Sequence, residues 1–435
     1  MTPAMEWIER RKLLAFGEDY GTSYFKFGPA TLGNKPDMFE NRGYFYTPTR
    51  VEQALGAPAT RVIVGPDLAQ YLQSTSDLSK LYYPMRHGTI SKDDEKGWTI
   101  VKEITRYALN KYAPKPGDPQ YPGFKGFWVA AAIAANSPNS MYERLIEIHR
   151  ELNEESDRPL VQALTIIPQP LAVAISQKQI HCIVIESGHG NTQITPISRG
   201  IIYGAMIPLN RGGQDADNMA RQILRDLGYQ DIAREEKIVT EFKEAVGLIP
   251  LDLNRAVSEA KRDPRRFKAV FQIPEAGIRI ELEKESWQRF LIGEYVFNPS
   301  HPEFESYYSR GFHRPLDTPL PWGTIPGDAS LAQVIRESLN KCAIEVRRYV
   351  TSMLILSGGN FSWRAPPELS GYAVDAPTKI KYELKKENID VPRVMMASDP
   401  QYSVWRGCIF YATFLKPEIE WDSKSREGWV LFIRE

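Results

Sequence analysis

An α/β fold built from one domain repeated twice is the class this sequence predicts, and three observations carry it. A hydrophobic run, Leu13-Leu14-Ala15-Phe16-Gly17, breaks at the polar turn Glu18-Asp19-Tyr20-Gly21-Thr22-Ser23 and resumes as Tyr24-Phe25-Lys26-Phe27-Gly28, the pattern of strand, tight turn and strand. The same grammar returns at Cys182-Ile183-Val184-Ile185, broken by Glu186-Ser187-Gly188-His189-Gly190-Asn191-Thr192 and resumed by Gln193-Ile194-Thr195-Pro196-Ile197, with Glu186 standing 167 positions after Asp19. A third strand-like run, Met353-Leu354-Ile355-Leu356, ends in Ser357-Gly358-Gly359. Self-similarity of this kind is the signature of an internal duplication.

The remaining elements follow in order. Arg61-Val62-Ile63-Val64-Gly65 reads as a strand. Residues 98–112 place Ile100, Val101, Ile104, Ala108 and Leu109 at helical spacing, and Pro114, Pro116, Pro119 and Pro122 mark the loop beyond. Residues 127–135, FWVAAAIAA, read as a buried strand running into a loop. Residues 141–153 form a helix with Leu145, Ile148 and Leu152 on one face, and residues 215–227 form another. Residues 290–326 show no period. They hold Pro299, Pro302, Pro315, Pro319, Pro321 and Pro326 with Phe297, Phe304, Tyr307, Tyr308, Phe312 and Trp322 between them. So many aromatics point to a long ordered insertion, because disordered segments are poor in them.

Composition closes off several classes. The 435 residues carry 54 Lys+Arg against 54 Asp+Glu, so no electrostatic case exists for a nucleic-acid or anionic-membrane binder. The longest apolar run falls well short of the ~20 residues of a membrane span. The charge-broken N-terminus MTPAMEWIERRKLLAFG does not read as a secretory signal, so a cytoplasmic protein is expected. Cys182, Cys342 and Cys408 lack CxxC spacing and are expected to be reduced and buried. The six dispersed histidines offer no zinc set, which leaves a metal riding on a phosphate ligand open.

Two turns of the form acid-x-Gly, each after a hydrophobic strand, suit a polyphosphate. Glycine lets backbone N–H groups approach phosphate oxygens, while Thr22, Ser23 and Ser187 add hydroxyls and Lys26 a point charge. Asp19 and Glu186 are the candidate Mg²⁺ ligands, through water, since Mg²⁺ keeps much of its hydration shell. Either turn alone reads more readily as an ordinary hairpin, and the pair together with Ser357-Gly358-Gly359 favours phosphate.

These residues carry a resemblance. The segment 19–28 resembles the first phosphate loop of the actin superfamily, Ile185-Glu186-Ser187-Gly188-His189-Gly190 the second, and Leu356-Ser357-Gly358-Gly359 its adenosine loop. Tyr83-Pro84-Met85-Arg86-His87-Gly88 and Tyr402-Ser403-Val404-Trp405-Arg406-Gly407 are similar to segments of true actins, so the resemblance to the actin family runs from Asp19 to Gly407. It implies an actin-like α/β fold of two ribonuclease H-like halves around a nucleotide cleft, with four subdomains. It also implies ATP or ADP with Mg²⁺ as cofactors, slow hydrolysis, and self-assembly into cytoskeletal filaments under nucleotide control. The rivals on this superfamily fold are a small-molecule kinase and a chaperone-type ATPase.

Carried over by position, Gln169 orients the attacking water beside Asp19 and Glu186. Gly21, Thr22, Ser23, Tyr24 and Lys26 form the first phosphate grip, and Ser187, Gly188, His189, Gly190 and Asn191 the second. Gly213, Gln214 and Asp215 follow Gly212 at the cleft. Lys243 and Glu244 border adenine and ribose, Gly358, Gly359 and Asn360 belong to the adenosine loop, and Tyr402 flanks the base. Three positions depart from the pattern: Glu186 stands for an aspartate, His189 for a second acid and Gln193 for a histidine. His87 matches a histidine modified in some actins, and a packed loop residue is the reading adopted. The first half is expected to span 1–180 with 398–435, its small subdomain at about 43–79. The second is expected to span 181–397, with its small subdomain at about 217–289 and the insertion at 290–326. In actins a shorter apolar loop in the region of that insertion plugs against neighbouring subunits, so its aromatics are expected to be partly exposed and adhesive.

Overall fold

A computed structural model describes residues 3–56, 60–75 and 77–433, and the chain divides into two units, Met1–Lys178 with Tyr402–Glu435, and Gln179–Gln401.

In the first unit α1 (Pro3–Leu14) leads into β1 (Ala15–Tyr20), which turns at residues 21–23 into β2 (Tyr24–Pro29), and β3 (Asp37–Glu40) completes an antiparallel meander. A small sheet follows, with β4 (Gly43–Tyr46) between β5 (Arg61–Val64) and β6 (Leu81–Tyr82), alongside α2 (Arg50–Ala54) and α3 (Gly65–Leu72). Then α4 (Glu95–Tyr112) leads to β7 (Phe127–Ile133), α5 (Asn139–Glu155) to β8 (Val161–Pro168), and α6 (Gln169–Ser176) follows directly. β1, β7 and β8 are parallel, so the main sheet reads β3-β2-β1-β7-β8, with a short strand, Val430–Leu431, added at its edge.

Every residue of β1, β7 and β8 is buried, as continuous apolar strands covered on both faces must be. α4 and α5 bury Ile104, Ala108, Leu145 and Ile148 with Phe16 and Tyr20 of β1. The C-terminal helix, Ser403–Phe414, packs against β1, β7 and α6.

The second unit repeats the plan. β9 (His181–Ser187) pairs antiparallel with β10 (Thr192–Ser198), and β10 with β11 (Ile207–Leu209). The excursion that follows holds α7 (Gly213–Asp226), α8 (Glu236–Val246), α9 (Leu253–Arg262), the hairpin β12 (Ala269–Ile273) and β13 (Ile278–Leu282), α10 (Arg289–Phe297) and α11 (Glu305–Tyr308). It continues through the hairpin β14 (Thr318–Leu320) and β15 (Gly323–Ile325), α12 (Leu331–Lys341) and α13 (Ile344–Val350) to β16 (Met353–Ser357), α14 (Ala376–Lys386) and β17 (Arg393–Met396). The sheet order β11-β10-β9-β16-β17 matches β3-β2-β1-β7-β8 strand for strand and direction for direction. The duplication suggested by two turns is therefore a duplication of topology.

Three expectations change. Leu13 and Leu14 end α1 rather than opening a strand. The charge that disguised this helix, Arg11, is buried against the Trp128 ring at 3.3 Å, and its Nε donates to the Ala412 carbonyl at 3.0 Å. The segment opening the insertion is α10, buried along its whole length, and a helix buried on every side has no solvent face to set a period. The aromatics of the insertion are core and not an adhesive patch. Phe304 and Tyr307 are buried, and Tyr308 and Phe312 are half-buried around Tyr295, whose ring centroid lies 5.0 Å from Phe304 and 5.6 Å from Phe312. The Tyr308 hydroxyl donates to the Pro299 carbonyl at 2.7 Å, which secures the fold-back.

Cys182, Cys342 and Cys408 are buried free thiols. Among the described residues no helix is long and apolar enough to cross a membrane.

Candidate functional site

The parallel strands β1, β7 and β8 end in one row. Their register places Asp19 beside Ala132, and Ala132 beside Ile167, two residues before Gln169 opens α6. Sheet geometry alone thus brings together residues 150 positions apart. Gln169 Nε2 donates to Asp19 Oδ1 at 2.9 Å and to the Tyr20 carbonyl at 3.3 Å. Both partners only accept, which settles the orientation of the amide. The other Asp19 oxygen accepts from Lys26 Nζ at 2.8 Å; the carboxylate is 2% exposed and the ammonium side chain 16%. Pairing allows these charges to be buried.

The turn above them differs in detail from expectation. The Gly21 N–H is spent on the hairpin, reaching the Asp19 carbonyl at 3.2 Å and the Tyr24 carbonyl at 3.1 Å, so it is not the phosphate donor. Glycine is required because a Cβ would stand 2.7 Å from the Tyr24 oxygen. Thr22 Oγ1 accepts from the Gly88 N–H at 3.0 Å, and Tyr24 is exposed. Among the described residues no backbone bond uses the N–H of Thr22 or Ser23 at the tip of the turn. Asn41, which sequence reading missed, braces the turn: its Nδ2 donates to the Gly21 carbonyl at 2.8 Å and its N–H to the Ser23 carbonyl.

In the second unit Glu186 faces Gln193 across β9–β10 and Ser357 across β9–β16. Its Oε2 accepts from Gln193 Nε2 at 3.0 Å. Ser187 is not a surface hydroxyl: it is fully buried, 2.8 Å from Thr192 Oγ1, and accepts from Asn360 Nδ2 at 3.0 Å. Asn360 also donates to the Gly188 carbonyl at 2.7 Å, and Gly358 packs so close that a Cβ would lie 2.0 Å from the Ser187 oxygen. The adenosine-loop residues therefore build the second turn, while Gly359 is exposed with open space around it. The first turn of α7 docks there too. The N–H groups of Gly213 and Gln214 donate to the carbonyls of Gly188 and His189, at 2.9 and 2.8 Å, and Asp215 Oδ2 accepts from the Gly212 N–H at 2.8 Å. Gly190 and Asn191 are buried in the turn. Arg211 ties it to the segment just after the insertion: its carbonyl accepts from Thr192 Oγ1, and its buried guanidinium donates to the carbonyls of Gly327 and Ala329 at 2.6 and 2.8 Å.

Lys243 and Glu244 leave α8 in different directions. Lys243 is buried on Asp217 of α7 at 3.0 Å, while Glu244 is exposed and lines a surface groove of about 510 Å³ with Glu241, Val270, Phe271 and Gln272. Asp217 also lies 3.7 Å from His189 Nδ1 and accepts from the Thr240 hydroxyl at 3.2 Å, a hub that no spacing in the sequence announced. Burial, chiefly, with Lys243 and Arg221 adding, holds the His189 pKa below the usual histidine range despite Asp217, so the turn presents a neutral imidazole at pH 7. Tyr402 is half-buried at the start of the C-terminal helix, where its carbonyl accepts from the Arg406 N–H.

Among the described residues no group of three or more His, Cys, Asp or Glu could by itself hold a metal ion. Each unit by itself carries groups that suit part of a magnesium nucleotide: the first a buried carboxylate, a partly exposed ammonium and a glycine turn, the second a carboxylate and a glycine turn. A metal bound there needs water and phosphate to complete its shell.

Two units of one topology, each closing its first strand with a carboxylate and a glycine turn, define a nucleotide-binding fold of the duplicated α/β type. Comparison with known protein families matches residues 19–424 to Actin, and the chain belongs to the actin family. Members of that family generally bind ATP or ADP with a divalent metal, hydrolyse ATP and self-assemble.

Proposed function

We propose that this chain is an ATP-binding, slowly ATP-hydrolysing cytoskeletal protein that polymerises with itself, nucleotide state controlling assembly, and that among actins it is nearest in kind to the archaeal crenactin. The observation that carries the chemistry is the bonded set Asp19, Lys26 and Gln169 in a chain of the actin family. Bound Mg-ATP supplies the phosphoanhydride and the cation that offsets its charge. Lys26 meets a terminal phosphate as a point charge. Asp19 and Glu186 would hold the hydration shell of the metal. Gln169, whose NH₂ donates to Asp19 and Tyr20, would orient the attacking water through its amide. A neutral amide positions water without acting as a strong base, which suits slow phosphoryl transfer. An open polymer requires two different complementary faces on each subunit, and self-assembly of the family supports that part of the reading.

The test is Gln169→Ala. ATP affinity should stay near wild type while phosphate release slows by roughly 10²-fold, and electron microscopy with ATP should show filaments that persist longer. Wild-type phosphate release in the variant removes Gln169 from the site, and a wild-type protein that never pellets with ATP removes polymerisation.

A further inference from the structure

The register of the first meander decides what stands opposite the first turn. β2 and β3 pair antiparallel with Tyr24 opposite Glu40, so the residue after β3, Asn41, falls opposite Ser23. Its N–H donates to the Ser23 carbonyl at 2.8 Å, and its Nδ2 donates to the Gly21 carbonyl at 2.8 Å. One residue thus takes both carbonyls that flank the tip, one with its backbone and the other with its side chain. Asn41 is fully buried and residues 21–23 are half-buried, so both carbonyls are drawn to the closed side of the turn. A trans peptide unit is planar, with its C=O and N–H on opposite sides. Holding the Gly21 carbonyl inward therefore points the Thr22 N–H to the open side. Without that hold the peptide is free to rotate, because glycine has the widest choice of backbone conformations. On the other flank the Thr22 hydroxyl accepts from the Gly88 N–H at 3.0 Å, which holds the residue by its side chain.

Stability does not account for this side chain. The Gly21 carbonyl only accepts, so the amide presents NH₂ to it and turns Oδ1 elsewhere. That oxygen is buried and has no hydrogen-bond partner among the described residues. A buried acceptor left over costs at least as much as a single hydrogen bond contributes. A leucine of nearly the same shape would pack as well without that cost. What a leucine cannot do is hold a carbonyl.

We infer that Asn41 is a positioning residue of the phosphate grip: by holding the Gly21 carbonyl away from the tip, it presents the Thr22 N–H, and not a carbonyl oxygen, to an incoming phosphate. The inference rests on the nucleotide reading of the turn for its ligand, though not for the direction of the peptide. Turns bind anions through N–H groups aimed into one concavity, and a carbonyl aimed there repels the same anion. Lys26 supplies charge without direction, and Asn41 supplies direction without charge.

Asn41→Leu keeps the packing and the backbone bond to Ser23 and removes only the hold on Gly21. Calorimetry with Mg-ATP and with Mg-tripolyphosphate, and melts without ligand, are run on both proteins. Affinity for both ligands should fall about tenfold to hundredfold, the effect of one lost hydrogen bond to a charged group, while Tm stays within about 4 °C. In protein labelled with ¹⁵N-threonine, the Thr22 amide is identified by its disappearance in Thr22→Ser. It should move downfield when Mg-tripolyphosphate saturates wild type and should move less in Asn41→Leu at saturation. Unchanged affinity in Asn41→Leu, or a Thr22 amide that stays still in saturated wild type, overturns the inference and leaves the ATP reading standing. Asn41→Ala takes the place of a leucine that does not fit; if neither variant folds, Asn41 is a structural residue and the inference falls. Wild type that binds Mg-tripolyphosphate at the Thr22 amide but does not bind Mg-ATP upholds the positioning and overturns the ATP reading. Wild type that binds neither overturns both.

Discussion

Asp217 shows how a residue with no motif of its own becomes central. It lies in α7 with only 6% of its side chain exposed, bonded to Lys243 of α8 and near His189 of the second turn. A buried pair contributes little net stability while both members stand, yet removing one leaves an uncompensated charge. Lys243→Met should therefore cost about 3 kcal/mol, and Asp217→Asn combined with it should recover most of the loss. Urea unfolding of the single and double variants measures both. Equal loss in single and double would show that the ion pair is not what Lys243 provides. The same logic separates Lys243 from Glu244: a helix turns neighbouring residues away from each other, and only one of the two reaches the core.

Between elements, close approach governs. A Cβ on Gly407 would lie 1.9 Å from the Ala172 carbonyl of α6, and one on Gly17 would lie 2.9 Å from the Trp405 ring. The C-terminal helix can thus press on α6 and β1 only through these missing side chains, and α6 is the helix that begins with Gln169. Gly407→Ala must separate two backbones. It should cost about 3 kcal/mol and lower Tm by roughly 6–12 °C for a body of this size. Gly359→Ala, with open space around it, should change stability by less than about 0.5 kcal/mol. Thermal melts of the pair make the comparison, and equal effects would refute the packing argument.

At the level of the whole molecule, one five-stranded plan occurs twice, each copy interrupted after its third strand by an excursion: the small sheet β4–β6 in the first unit and the segment from α7 to α13 in the second. The aromatics of the second excursion close on their own unit. Changing Phe304, Tyr307 and Tyr308 together to Ser should therefore unfold that unit instead of raising the concentration needed for assembly, since one buried Phe already contributes ~3–5 kcal/mol. Calorimetry decides. A triple variant that melts like wild type but assembles only at higher concentration would restore the adhesive role.

Local chemistry is legible in the order of residues. Continuous apolar strands such as residues 127–133, helices with one apolar stripe, and glycine turns after strands all announce themselves because their causes lie within a few residues. The resemblance of residues 19–28 and 185–190 located the candidate grip, and Asp19, Lys26 and Gln169 do meet. What stayed hidden depends on partners distant in the chain. α1 was disguised by Arg11, whose charge is acceptable only once three Trp rings and two carbonyls surround it. α10 was disguised by burial on every side, and Asn41 and Asp217 carry no signal beyond being ordinary polar residues. The sequence by itself determined the strands and turns that open each unit, several helices, and the duplication. Tertiary structure alone decided which glycine amides are spent on turns, which charges are paired, and that the aromatic insertion folds inward, because each outcome follows from what burial places opposite a side chain.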